Sequence, residues 1–213
     1  MRERPILFNT PMVQAILSGS KTQTRRVLKA KTLSDIEFGH QFGECFALED
    51  PRSTDCGYIQ SFCPYGQIGD QLWVRESWYQ KGTVCRSYPD DDEYHFFGHK
   101  QAAYVADGDA PKDWTVKKRP SIHMPRWASR IQLEITNIRV ERLNDISEQD
   151  AAAEGIENIQ SSTEFSEWYG TKSGGNSYAA FKYLWLSING PDSWAKNPWV
   201  WVVEFKVIKG GAV

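Results

Sequence analysis

Lys21 and Thr24 stand three residues apart in the run Gly19-Ser20-Lys21-Thr22-Gln23-Thr24-Arg25-Arg26, directly after a glycine that stops a helix. A lysine amine is protonated at neutral pH, with a free pKa of about 10.4, but becomes a usable base once burial or a second cation depresses that value. Arg25 and Arg26 are in place to supply that pressure. The Thr24 hydroxyl then has the neighbour that makes a nucleophile competent. Residues three apart on a regular strand point to opposite faces, so the two converge only if the turn after Gly19 or a bulge intervenes. A third group must protonate a leaving group. Glu154 is suited to it in the last turn of a short helix, where the negative end of the helix dipole disfavours an ionised carboxylate. Glu76, placed among apolar side chains, is its rival. Read alone, the same residues also fit a basic surface patch.

The elements that must carry these side chains are legible in outline. Thr10 as N-cap and Pro11 at the first helical position open a helix with Met12, Val13, Ile16 and Leu17 on one face, and Gly19 ends it. A strand over Thr22 to Leu28 follows. From Lys29 to about Gln67 no period is sustained, which predicts an insertion without a packed element. Gln71 to Trp78 alternates, with Leu72, Val74, Glu76 and Trp78 on one face and Trp73, Arg75 and Ser77 on the other. A second irregular stretch runs from Gln80 to Arg119, and Pro125 makes Ser121 to Trp127 an edge or an entrance. The longest strand signal spans Ile131 to Leu143. Ser147 and Asp150 then form a capping box before Ala151, Ala152 and Ala153, with Gly155 as the stop. Ala180, Phe181, Leu184, Trp185 and Ile188 recur at helical spacing from about Asn176 to Asn189, and a strand over Trp199 to Ile208 closes the chain. Such a mixture predicts an α+β fold, a small antiparallel barrel or sheet decorated by helices and long loops.

Composition narrows the function. With 213 residues and 40% hydrophobic content the chain can bury a full core without metal or disulfide staples. The net charge of −2 argues against a protein that coats nucleic acid wholesale. Residues 1–31, however, hold Arg2, Arg4, Lys21, Arg25, Arg26, Lys29 and Lys31 against Glu3 alone, as a patch recognising one anionic group would. The run Asp90, Asp91, Asp92 and Glu93 reads as a solvated loop. Cys45, Cys56, Cys63 and Cys85 fit no short-spaced ligand pattern even with His95 and His99 nearby, so free thiols and no metal are expected. No apolar run is long enough for a membrane span or a secretory signal, so a cytoplasmic location is expected.

Gly19-x-Lys21-x-x-Thr24-x-Arg26 resembles the G-x-K-x-x-[T/E]-x-R signature of ASCH domains, a PUA-like β-barrel family associated with RNA. Gly69-Asp70-Gln71-Leu72-Trp73-Val74 is similar to that family's G-D-x-L-x-V strand, and Trp201 to Lys206 to its closing strand. The resemblance implies one ASCH/PUA-like domain over residues 1–213, a small β-barrel with two or three flanking helices and long loop insertions at about 29–67 and 80–119. Within the family the likeness is to the small bacterial N4-acetylcytidine amidohydrolases. It implies Lys21 as base, Thr24 as nucleophile and Glu154 as proton donor, the last through the looser match of Ile146 to Ile156. Arg75-Glu76-Ser77-Trp78, Met124-Pro125-Arg126-Trp127 and Asn197 to Trp201 are similar to longer ASCH-type proteins of bacteriophages and prophages.

The resulting expectation is a cofactor-free hydrolase that removes an acyl group from a modified cytosine nucleoside. Arg26 or a backbone amide holds the oxyanion, and Trp73, Arg75, Glu76, His123 and Arg126 contact the substrate. Trp78 and Trp127 are further candidates for stacking on a base. Two alternatives stand beside it. One is an RNA- or modified-nucleotide-binding module in which Lys21, Arg25, Arg26, Arg75 and Arg126 grip phosphates. The other is a ribonuclease with His123 in a proton role.

Overall fold

The computed structural model describes residues 1–53, 56–86, 88, 93–156 and 177–210. Among them the chain is α+β, with eight strands in two sheets. β1 (Glu3–Leu7), β2 (Gln23–Val27), β3 (Gln71–Arg75), β7 (Gln132–Arg142) and β8 (Trp199–Lys209) form the larger sheet in the order β1-β3-β7-β8-β2. The β1–β3 pair is parallel and the other neighbours are antiparallel. Its two outer strands approach at one end, where Arg26 Nη2 donates to Leu7 O at 2.7 Å.

β8 is buried on both faces, which explains the unbroken apolar run Trp199 to Val203. Trp201, Val203 and Phe205 join Leu72, Val74, Leu133, Ile135 and Ile138 in the main core, closed by Val13 and Ile16 of α1 (Thr10–Leu17). Val200 and Val202 face the other way. They meet Ala151 of α4 (Glu148–Ala153) and Ala180, Phe181 and Trp185 of α5 (Ser177–Asn189). Asn176, the expected start of that last helix, lies outside the described residues, as do Asp90, Asp91 and Asp92 of the acidic run.

Three local readings need correction. α1 is capped by Asn9, whose Oδ1 accepts from Met12 N–H at 3.0 Å, so Thr10 is already helical. The segment after Lys29 holds two helices, α2 (Ala30–Gln41) and α3 (Gly57–Ser61). α2 escaped detection because few of its positions are buried and one of those is Gly39, where an added side-chain carbon would lie 2.3 Å from Tyr58 Cε1. Finally, the stretch read as irregular after Gln80 holds most of a second antiparallel sheet, β4 (Trp78–Arg86), β5 (Tyr94–Tyr104) and β6 (Val116–Arg119), in the order β5-β4-β6. β5 and the outer half of β4 are largely exposed, so no buried face imposes a period of two on them.

One residue controls how the larger sheet feeds the site. Opposite β8, β7 carries an extra residue between Ile135 and Asn137, namely Thr136, whose side chain is exposed. This bulge shifts the alternation by one. Leu133, Ile135, Ile138 and Val140 therefore all enter the main core, although their numbers change parity. The same shift turns Arg139 and Glu141 towards the face that holds Val200 and Val202, their neighbours across the ladder. Deleting Thr136 is expected to cost more than about 3 kcal/mol, because it exposes two core residues or two charges enter the core. Thr136→Ala is expected to change stability by less than about 0.5 kcal/mol. Urea titration of both variants checks the contrast.

Candidate active site

Lys21 stands outside β2. Its N–H donates to Ala15 O at 3.0 Å, continuing the turn that Gly19 opens with φ +81°, and it makes an isolated antiparallel bridge with Glu154. Thr22 N–H donates to Ala153 O at 2.9 Å. The segment leaving α1 and the end of α4 thus lie side by side, and strand parity does not govern Lys21 relative to Thr24. Gly155 permits the approach: it has φ +75°, and an added side-chain carbon would sit 2.6 Å from Lys21 Cβ and 2.7 Å from Ala15 Cβ.

At this junction three charges are withdrawn from water. Lys21 is 1% exposed, Arg25 4% and Glu154 3%. Lys21 Nζ donates to Glu154 Oε2 at 2.7 Å and to Glu154 O at 2.9 Å, while Arg25 Nη1 donates to Glu154 Oε1 at 3.3 Å. Both carboxylate oxygens are engaged by cations, so the helix end is not the dominant influence on Glu154 that its position in sequence implied. Burial pushes the Lys21 amine below the ordinary lysine range; Glu154 works against that, and Arg26 and Arg25 reinforce it.

Around this centre lies a second shell of charge that sequence patterns did not reveal. Arg25 Nη2 also meets Glu141 Oε2 at 3.1 Å and Asp150 Oδ2 at 3.4 Å. Arg139 pairs with Glu141, Asp150 and Glu204, and Gln23 Nε2 donates to Asp150 O at 2.6 Å. Ser147 caps α4 by accepting from Asp150 N–H at 3.0 Å, as the capping box predicts. Burial acts against the Asp150 carboxylate, but Ser147, Arg25, Arg139 and Gln23 together hold its pKa below the ordinary value. The available signal was the spacing Arg139-x-Glu141, two charges on one strand face opposite the apolar face of Ile138 and Val140.

Thr24 is buried opposite Val203, on the main-core face, and among the described residues its hydroxyl has no hydrogen-bond partner. Arg26 shares that face, with its guanidinium 5.6 Å from the Phe8 ring centroid; Lys21 Nζ lies 5.7 Å from the same centroid. The Lys21 amine and the Arg26 guanidinium thus both lie near Phe8, a residue of the main core. β2 is an outer strand, and a cavity of about 70 Å³ at its edge is lined by Thr24, Arg25, Arg26 and Glu154 with Met12, Phe181, Leu184 and Ile188.

The other expected substrate contacts fall elsewhere. Trp73 lies beneath two guanidinium groups, with Arg75 5.6 Å and Arg126 5.9 Å from its centroid; Arg75 Nε donates to Ser121 O and Arg126 pairs with Glu3 at 2.8 Å. Glu76 is buried against Arg130, with contacts of 3.1 and 3.2 Å, and Arg130 also binds Asp107. Burial raises the Glu76 carboxyl above its ordinary value despite Arg130. His123 is exposed in a separate cleft with Trp78 and Trp127. Lys21 and Arg25, two of the expected phosphate grips, are each matched to carboxylates and buried. Among the described residues no group of His, Cys, Asp and Glu is arranged to hold a metal, and no helix is long and apolar enough to cross a membrane.

No family model matches the chain, and neither does any curated protein. Among solved structures the chain is similar to a crystal structure of an ASCH domain from Lactobacillus crispatus, at 14% identity and a TM-score of 0.37, over 98% of this chain and 81% of that one.

Three substitutions probe the junction. Gly155→Ala is expected to lower stability by more than about 1 kcal/mol, since it combines a left-handed backbone with two close contacts. Glu154→Leu strands two buried cations and is expected to cost about 3–5 kcal/mol, whereas Lys21→Met leaves Glu154 paired with Arg25 and is expected to cost less. Thermal and urea unfolding of the three variants measure this order.

Proposed function

We propose that this protein is an amidohydrolase that removes a small acyl group from the exocyclic amine of N4-acylated cytidine or a related modified nucleoside. The observation that carries the reading is a buried lysine amine 2.7 Å from the buried carboxylate of Glu154, a residue that lines one small cavity together with Thr24. The resemblance of Gly19-x-Lys21-x-x-Thr24-x-Arg26 to the ASCH signature supports the same assignment.

The chemistry balances. Moving one proton from Lys21 Nζ to Glu154 Oε2 along their hydrogen bond yields a neutral amine and a carboxylic acid, and the burial that depresses the lysine lowers the cost of taking its proton away. Lys21 takes the proton of Thr24 Oγ1 as the oxygen attacks the amide carbonyl. Glu154 gives its proton to the departing exocyclic nitrogen, and the C–N bond breaks to leave an acyl ester on Thr24. Water then attacks the ester and loses a proton to Glu154, while Lys21 returns one to Thr24 Oγ1. The carboxylic acid departs and the neutral pair is restored. Arg26, which shares the Thr24 face and lines the same cavity, is the cation assigned to the oxyanion.

Cavity size narrows the substrate. About 70 Å³ lies well below the roughly 300–1,000 Å³ of pockets that enclose a whole ligand. A short acyl chain enters, and the base and sugar stay at the mouth. N4-acetylcytidine is therefore expected to be cleaved and N4-benzoylcytidine to be refused, with Leu184→Ala narrowing the difference; chromatographic measurement of cytidine release decides it.

Lys21→Ala and Thr24→Ala are expected to lower kcat by about a hundredfold or more while circular dichroism stays unchanged. Turnover is expected to fall as pH rises and the Lys21–Glu154 pair loses the proton it shares, with a midpoint below the free lysine value of about 10.4, because folding depresses this amine. Cytidine release at wild-type rate from the Thr24→Ala protein, or none from the wild type, would overturn the assignment.

A further inference from the structure

The cleft beside β4 and β6 is built from residues that the reaction above does not use. It has a volume of about 360 Å³ and is lined by Trp78, Gln80, Arg119, His123, Pro125 and Trp127, none of which borders the Thr24 cavity. Trp78, 2% exposed, stands edge-on to Trp127, with centroids 5.5 Å apart and planes at 87°; Trp127 is 41% exposed. Pro125 and Trp127 come from the turn that follows Met124, which is buried against Trp78 and Tyr104. The cleft therefore has a fixed floor and one accessible aromatic wall.

Charge completes the picture. The three strands carry Lys81, Arg86, Lys100, Lys117, Lys118 and Arg119 and no acidic residue, in a chain whose net charge is −2. Arg119 lies opposite Trp78 and Lys117 opposite Gln80 in the β4–β6 ladder, so both cations project from the face that bears the cleft. The Arg119 guanidinium donates to the neutral Gln80 Oε1, at 3.3 and 3.1 Å, and among the described residues no carboxylate pairs with it. A flat aromatic wall of this volume, bordered by uncompensated cations, suits a planar ring joined to a phosphate.

We propose that this cleft holds one base of a single-stranded nucleic acid, stacked on Trp127, with Arg119 and Lys117 on the adjacent phosphates. Stacking tolerates any base, and the cations follow the backbone, so the site selects for an unpaired strand rather than for a sequence. The site is independent of the hydrolase reading, since it uses neither Lys21 nor Thr24. It supplies a means for a polymer to be held while chemistry proceeds elsewhere.

The test is a fluorescence-anisotropy titration of the full chain with labelled single-stranded RNA and DNA of about eight nucleotides. Parallel arms use the matching duplex and polyglutamate as competitors. Affinity is expected to fall steeply with salt, and Trp127→Ala to weaken it roughly tenfold or more, with Trp127→Phe retaining most of it. Lys117→Ala is expected to reduce the salt slope by about one. Thr24→Ala, which removes the proposed nucleophile, is expected to bind like the wild type, so failure of the hydrolase reading and failure of this one are distinguishable. The relative affinities of RNA and DNA identify the natural strand. Absence of single-strand binding, equal competition by duplex or polyglutamate, or equal affinity of the tryptophan, phenylalanine and alanine forms overturns the proposal.

Discussion

The Glu154 carboxylate, held between Lys21 and Arg25, is the interaction on which the rest of the site depends. Three ionisable groups cannot leave water cheaply, and each is tolerable only while its partners stay in place. That requirement sets backbone positions as well as side chains. Lys21 reaches Glu154 because its own N–H is tied to α1 and its neighbour's to the end of α4, and because Gly155 leaves no carbon in the way. The same burial that makes the arrangement costly depresses the lysine amine, so the cost in stability and the shifted amine arise from one cause.

The larger sheet gives that centre its surroundings. β8 separates an apolar core on one face from a second face that is apolar under α5 and charged under α4. Arg139 and Glu141 belong to the charged part only because Thr136 shifts the alternation of β7. A residue that touches nothing in the site thereby decides which charges surround Arg25. In energetic terms, the bulge exchanges one unpaired residue for the burial of Ile138 and Val140 and the pairing of two strand charges.

The two cavities differ in the chemistry they admit. Beside Thr24 the space is small and bordered by Phe181, Leu184 and Ile188, which suits a short apolar group. The cleft on β4 and β6 is several times larger, aromatic and bordered by arginine and lysine. It belongs to the sheet that occupies residues 78–119, a region whose exposed strands contribute little to the main core. The two cavities thus lie on different sheets of one chain.

From sequence alone, helix stops at Gly19 and Gly155, the Ser147 cap, the alternation through β3 and the apolar run of β8 were legible, since each is a local matter of backbone preference or period. Lys21, Thr24 and Glu154 could be singled out by chemistry and resemblance. What α2 and the second sheet do was not legible: Gly39 interrupts the helical pattern to admit Tyr58, and exposed strands have no reason to alternate. The pairing of Lys21 with Glu154 across 133 residues, the partner Arg130 for Glu76, and the separation of His123 and Trp127 from Thr24 were decided by tertiary structure alone. Side-chain type and local period act over a few residues. Which charges share a buried space depends instead on how strands and helices are brought together, and there the cost of an unpaired buried charge selects the partners.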